Sequence, residues 1–389
     1  MQKRGCQPKF RRHFVKKERP FMERKTSKGA KGLLLAFLLL YAFITLTPAA
    51  VHQFFIRRAD AAPSASPMPG SPEPSPEASP DAAPKDFLDA RSLPQGGGPI
   101  KKEAPKEASF TLYDAATGET LTVPEEEFLA AALACEMDLA APKEALKAQA
   151  VASYSYYSRL RDQGEQIACD TENWLVYVPQ SAMEARWGED CQSYRALLEG
   201  VVAEVKGQLL TYEGKPALAC YFAISPGSTE SAENVWAADA GAEHPYLQAA
   251  ASPGDLFCDG YLSTASFTEE EFRAAVEAYF AGETATPDLS GPAEEWLTEL
   301  EYTPSRMVKS AELGGLAVTG AQIRGALGLR SASFDFTLEE GSFRFTVRGW
   351  GHGVGMSQAG AVFLAQRGAD YREILAHYYP GTTLLPPAA

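Results

Sequence analysis

The chain has 389 residues, 45% hydrophobic and 22% charged, with a formal net charge of −14, enough for one large globular domain or two ordinary ones. The charge is unevenly divided: residues 1–32 hold twelve Lys and Arg against Glu18 and Glu23, so this segment carries about +10 and the remainder about −24. An acidic remainder argues against nucleic acid as a partner.

Residues 33–53 follow the basic segment and open with Leu33–Val51, a run of nineteen residues without a charge. At ~1.5 Å per residue such a helix nearly spans a ~30 Å hydrocarbon core. The long basic flank, and an apolar run beyond the ~7 to 15 residues of a signal-peptide core, favour a retained transmembrane helix over a cleaved signal. Positive charge stays on the cytoplasmic side, so the expected arrangement is single-pass, with residues 1–32 inside and the rest extracytoplasmic. Residues 54–108 are Pro, Ala, Ser and Glu in near-repeats with a Gly-rich end, a composition with too few apolar side chains to order itself. They read as a disordered tether, and about fifty such residues can reach on the order of 100 Å. Cys6 lies on the inner side and Cys135, Cys169, Cys191, Cys220 and Cys258 on the outer. Five is odd, so at least one outer thiol is unpaired or ligates something.

Residues 109–385 mix helical and strand periods and predict an α+β domain. Phe110–Tyr113 and Glu119–Val123 read as a hairpin around Ala116-Thr-Gly118. Pro124 then opens a helix with acids in its first turn and a buried face of Phe128, Ala131, Ala132 and Cys135. Glu136 ends this helix, where the dipole disfavours an acid. A second helix runs from near Pro142 to Gly164 with Leu146, Gln149, Ala150 and Ser153 on one stripe, which puts Glu136 at a corner between two helices. Val201–Val205, Gln208–Tyr212 and Ala217–Phe222 read as strands of one continuing sheet, and Ser225–Glu230 as a loop. Residues 254–304 read as a helical insertion around a Thr268-capped amphipathic helix. Ser342–Arg348 reads as a strand, and helices are expected over Met356–Arg367 and Tyr371–Tyr379. Between them Gly349, Gly351, Gly353 and Gly355 occupy alternate positions, leaving one backbone face bare for a ligand or another chain segment.

Glu136 sits beside Phe128, Leu133, Cys135 and Met137, surroundings that would raise its pKa and make it a proton donor. The plainer reading pairs it with Lys143 or Lys147. His352 can orient a substrate, bond Glu136 or satisfy the glycine turn. Ser225, Gly227, Ser228 and Thr229 offer hydroxyl and backbone donors for a ligand, and are also ordinary loop formers. Tyr154 and Tyr156 read equally as core or contact. Gly355-Met-Ser-Gln-Ala-Gly360 is one residue too long for a serine-hydrolase elbow, and the glycine run lacks dinucleotide spacing and a P-loop lysine. No second His or acid stands at zinc-hydrolase spacing.

Three blocks in order resemble the stage II sporulation protein D family, whose domain is shared with amidase enhancers. They are Ala134-Cys-Glu-Met137 with Lys143–Ala152; Ser225–Thr229 with Val235-Trp236 and Pro245–Leu247; and Arg348–Ala361 with His377–Gly381. The resemblance implies a mixed sheet with packed helices around a glycan-binding cleft. It further implies lytic transglycosylation of peptidoglycan glycan strands stripped of stem peptides, beside a cell-wall amidase and other engulfment membrane proteins, in the intermembrane space of a sporulating cell. The family's acid falls on Glu136. The blocks also bring Ser357, Gln358 and Tyr154 to the substrate, alongside Ser225, Gly227, Ser228, Thr229 and His352. One Glu suffices for a lytic enzyme, because the sugar's own 6-hydroxyl replaces water. Tyr154 stands where the family tends to have Arg, and Phe222-Ala-Ile224 replaces a His-Ser-rich approach. Some members bind zinc through a His and two close Cys; here Cys169 remains and Trp174–Tyr177 replaces the second, so no metal and no cofactor are expected. The contrasting expectation is a noncatalytic glycan-binding or amidase-activating module.

Overall fold

A computed structural model describes residues 108–386 apart from residue 237. The basic segment and the expected membrane helix and tether lie outside the described residues, among which no helix is long and apolar enough to cross a membrane.

Strands β1 (Ser109–Asp114) and β2 (Thr120–Pro124) form the expected antiparallel hairpin. Its turn is held by the Asp114 carboxylate, which accepts from Ala116 N and Thr117 Oγ1. Helix α1 (Glu125–Glu136) follows directly and places three acids in its first turn. Helix α2 (Lys143–Gln163) ends on Gly164 at φ 73°, the left-handed cap that glycine supplies without strain. Nearly its whole circumference is buried, since it packs against α1 and three later helices; Ala148, Ala150 and Ala152 let neighbours come close. Strand β3 (Ile167–Cys169) returns parallel to β1.

Two helices follow, α3 (Gln180–Trp187) and α4 (Cys191–Glu204). Val201–Val205, expected as a strand, is the end of α4 and its cap. Its valines extend the stripe Cys191, Leu198, Val201, Val202, whose three- and four-residue steps are helical and outweigh a short local alternation. β4 (Leu210–Tyr212) and β5 (Lys215–Pro216) form a small hairpin. β6 (Tyr221–Phe222) does not continue their sheet as expected. The Cys220 carbonyl accepts from Met356 N (3.0 Å) and Tyr379 Oη (2.6 Å), which turns the chain away.

After short helices α5 (Ala232–Val235) and α6 (Ala238–Glu243) comes a second folding centre. It comprises β7 (Leu262–Thr268), α7 (Glu269–Tyr279), β8 (Leu297–Tyr302), β9 (Val308–Leu313), β10 (Leu316–Thr319), α8 (Gly320–Leu327), β11 (Phe334–Glu339) and β12 (Ser342–Arg348). The insertion is therefore not simply helical, nor bounded at residue 304. The Thr268 capping box forms as expected, but β7 ahead of it pairs along its length with β12. Phe272 of α7 stacks on Phe343 of β12 (centroids 4.2 Å apart) and beside Trp296, giving these elements a core of their own.

The chain closes with β13 (Met356–Ser357), α9 (Gln358–Gln366), α10 (Tyr371–Tyr378) and β14 (Thr383–Leu384). β13 pairs in parallel with β6, and β14 joins β4. The α+β class holds, but among the described residues the expected mixed sheet is five small ones of two or three strands, because α1, α2 and the second core separate the short strands.

Candidate active site

Glu136 is the last residue of α1, whose final turn holds no basic side chain. Lys143 pairs with Glu204, and Lys147 with Glu144 and Glu204 (both 2.7 Å), so the plainer reading of a lysine-paired Glu136 does not hold. Instead Gln358 Nε2, at the first position of α9, donates to Glu136 Oε2 (3.1 Å) and to its backbone oxygen (3.3 Å). The residue is half-buried, yet its Oε1 is shielded and has no hydrogen-bond partner. Burial pushes its pKa up to about 8 against the pull of the Gln358 donation. At neutral pH it is mostly the protonated acid, the form that donates to a leaving oxygen. Tyr157 and Tyr221 lie close enough to feel its charge, and their hydroxyls too are pushed upward, by burial foremost.

Gln358 is set in place from below. Ser357 caps α9, accepting from Gly360 N, and its Oγ donates to Asp255 Oδ2 at 2.6 Å. Asp255 also accepts from Ser225 N (2.7 Å) and Ser252 Oγ (3.0 Å), so one buried carboxylate ties the Ser225 loop to the start of α9. Ser225 and Ser357 are fully buried in this knot. Thr229 is likewise buried, its Oγ1 accepting from Ala250 N, while Ser228 Oγ donates to the carbonyls of Thr229 and Ala250. Gly227, at φ 111°, donates to Ser225 Oγ. The expected sugar donors of this loop thus hold the loop together. Asp255→Ala, which removes the shared acceptor of Ser225 N, Ser252 Oγ and Ser357 Oγ, is expected to cost about 3 kcal/mol or more of stability, read as a lower midpoint in chemical denaturation.

His352 does not touch Glu136. Its Nε2 donates to Tyr221 O (3.0 Å), and its Nδ1 accepts from Val354 N (3.1 Å), which fixes the tautomer. Burial first, and the Arg324 charge second, push it down to about 3 against the pull of the Tyr221 carbonyl, so it stays neutral. Its ring lies between Phe222 (5.4 Å) and Trp236 (5.8 Å). Trp236 is 40% exposed, an aromatic face open beside the glycine run. The four alternating glycines all have positive φ, 76° to 118°. Their bare face is filled by chain, not left for a ligand: Gly349, Gly351 and Gly355 press on Ile224, Phe222 and Cys220.

Tyr154 lies elsewhere. Its hydroxyl donates to Glu125 Oε2 (3.1 Å) and its ring stands edge-on to Phe110. Glu125 and Glu136 are opposite ends of α1, about 16 Å apart along its axis, so Tyr154 is not a contact of the Glu136 site. Residues not expected at the site are Gln149, whose Oε1 accepts from Gln358 (3.4 Å), and Ser153 and Tyr221 behind it. The α2 stripe holding Gln149 and Ser153 was legible, but its polar members were not readable as a site. All five cysteines among the described residues are free thiols, and no group of three His, Cys, Asp or Glu there could hold a metal ion.

These features define an α+β protein with one enclosed carboxylic acid at a helix corner, held by an amide donor and without a cationic partner. The stage II sporulation protein family model matches residues 113–212, which include all of α1 and α2. Stage II sporulation protein D of Bacillus amyloliquefaciens is 33% identical over 297 residues, covering 75% of this chain and 82% of that protein. Its Bacillus subtilis (strain 168) counterpart is 32% identical over 295 residues, covering 74% and 81%. The amidase enhancer of Bacillus subtilis (strain 168) is 26% identical over 295 residues, 64% of this chain and 39% of that protein. The chain belongs to the stage II sporulation protein D family.

Proposed function

We propose that this chain is a membrane-anchored lytic transglycosylase that cuts peptide-stripped peptidoglycan glycan strands outside the cytoplasm, in septal wall remodelling during spore engulfment, with Glu136 as its single acid/base. The observation that carries the reading is the Glu136 carboxyl itself: enclosed, without a cation, one oxygen bound by Gln358 and the other free. A carboxyl kept protonated to about pH 8 donates its proton to the glycosidic oxygen as the bond to the anomeric carbon breaks. The resulting carboxylate then takes the proton of the sugar's 6-hydroxyl while that oxygen closes the anhydro ring, so no second carboxylate is needed. Trp236 offers a flat apolar surface of the kind on which a sugar ring rests.

The second reading is a noncatalytic module that binds glycan and activates an amidase, and the similarity to an amidase enhancer favours it. Incubating the purified full-length chain with peptide-stripped glycan, alone and with a cell-wall amidase on intact peptidoglycan, separates the two. Soluble glycan fragments released without amidase support the lytic reading. Faster peptide release with no cutting of bare glycan supports the module and overturns it.

A further inference from the structure

The hydrogen bonds behind Glu136 run in one direction. Gln358 Nε2 donates to Glu136 Oε2, and the same nitrogen donates to Gln149 Oε1. Gln149 Nε2 donates to Ser153 Oγ (3.1 Å), and Ser153 Oγ to Tyr221 Oη (3.3 Å). Gln149 and Ser153 are fully buried and four residues apart on α2, so they share a face one turn apart. The Gln358 nitrogen is thus met by three acceptors: Glu136 O, Glu136 Oε2 and Gln149 Oε1. A reversed amide would turn its carbonyl oxygen on these three oxygens, of which Glu136 O and Gln149 Oε1 carry no proton to donate back.

We propose that Gln149, Ser153 and Tyr221 form a positioning row that keeps Gln358 a donor to Glu136 Oε2 and so stabilises the Glu136 carboxylate once its proton has left. This rests on the reading of Glu136 as the acid/base. Glu136 Oε1 is enclosed and has no hydrogen-bond partner among the described residues, so the Gln358 amide is the donor that meets the charge on this carboxyl. The carboxyl gives its proton to the glycosidic oxygen as that bond breaks, and takes the 6-hydroxyl proton as that hydroxyl's oxygen bonds the anomeric carbon; the carboxylate between these two steps is the species that Gln358 stabilises. Oε2 stays bound to Gln358 throughout. Gln149, Ser153 and Tyr221 touch no substrate in this scheme and act through Gln358.

The test is the pH at which Glu136 loses its proton, followed by carbon NMR of Glu-labelled full-length chain, with its signal identified by absence in Glu136→Gln. The alkaline limb of glycan cleavage is measured in parallel. Gln358→Leu removes a hydrogen bond to the charged form and is expected to move the titration upward by about one pH unit. Gln149→Leu moves it in the same direction, and the double variant moves it no further than Gln358→Leu alone, because the row acts only through Gln358. A loss of folded protein alone would lower the plateau and leave the limb in place. Unchanged titration in Gln149→Leu, or shifts that add, overturn the proposal. Should Gln149→Leu fail to fold, Ser153→Ala decides by the same criterion: an upward shift supports the row and an unmoved titration refutes it. Because the NMR titration does not need turnover, nested shifts in a chain that cuts no glycan would leave the positioning row standing and overturn only the lytic reading.

Discussion

Glu136→Gln is expected to lower glycan cleavage by about 10²-fold or more, because the amide keeps the carboxyl's shape and cannot pass a proton. Folding is expected to survive, and stability to change in a pH-dependent way that identifies the residue. The wild-type carboxyl is raised from its ordinary 4.5 to about 8 in the folded chain, so between these values the folded state holds a proton that the unfolded state has released. The stabilisation from that proton is complete below about pH 4.5 and lost as pH rises through about 8. Glutamine has no proton to lose. The variant is therefore expected to match the wild type most closely at low pH and to exceed it above pH 8 by up to a few kcal/mol. Thermal melts of both chains from pH 4 to 9 check the sign, and circular dichroism checks the fold. Full cleavage in Glu136→Gln would make Glu136 a structural acid.

The second large effect is on the fold. Gly355 sits at φ 80°, and a Cβ there would overlap the Cys220 carbonyl oxygen, the same oxygen that accepts from Met356 N and Tyr379 Oη. Nothing flexible can yield, since both sides are backbone. Gly355→Ala is expected to cost about 3 kcal/mol or more, to part β6 from β13, and with them to release Gln358 from Glu136. Gly368→Ala is the control, at φ 94° with nothing near the new methyl; backbone strain alone should cost it roughly 1 to 2 kcal/mol. Denaturant midpoints of the two variants should differ clearly, and equal midpoints would show that the glycine run has room to spare.

The parts of this architecture legible in the sequence are those set by local signals. Pro124 and Gly164 mark helix ends by their backbone preferences, Thr268 by its side-chain cap, and the β1–β2 hairpin by its turn residues. Glu136 stood out because an acid at an uncompensated helix end is locally unfavourable. The rest depended on partners far along the chain. β6 and β13 are two residues each and exist because the glycine run brings residues 220–225 against 349–357, a contact no local period encodes. Asp255 explains why Ser225 and Ser357 are buried, yet it lies thirty residues from one and more than a hundred from the other. Gln149 and Ser153 looked like gaps in an apolar stripe, since a buried amide and hydroxyl acquire meaning only when a donor from α9 reaches them. Trp236 belongs to the middle block of the resemblance, but its exposure beside His352 has no local signal.

In the proposed reaction one carboxyl does what a hydrolase divides between two, and the chemical ends of the products report on it directly. Mass spectrometry of peptide-stripped glycan digested by the full-length chain should find fragments ending in 1,6-anhydromuramic acid, the mark of attack by the sugar's own hydroxyl. Fragments with reducing ends would contradict it, since water would then be the nucleophile and a second carboxylate would be required. Glu230, buried beside the glycine run with its Oε2 unpartnered, would be the acid to change next.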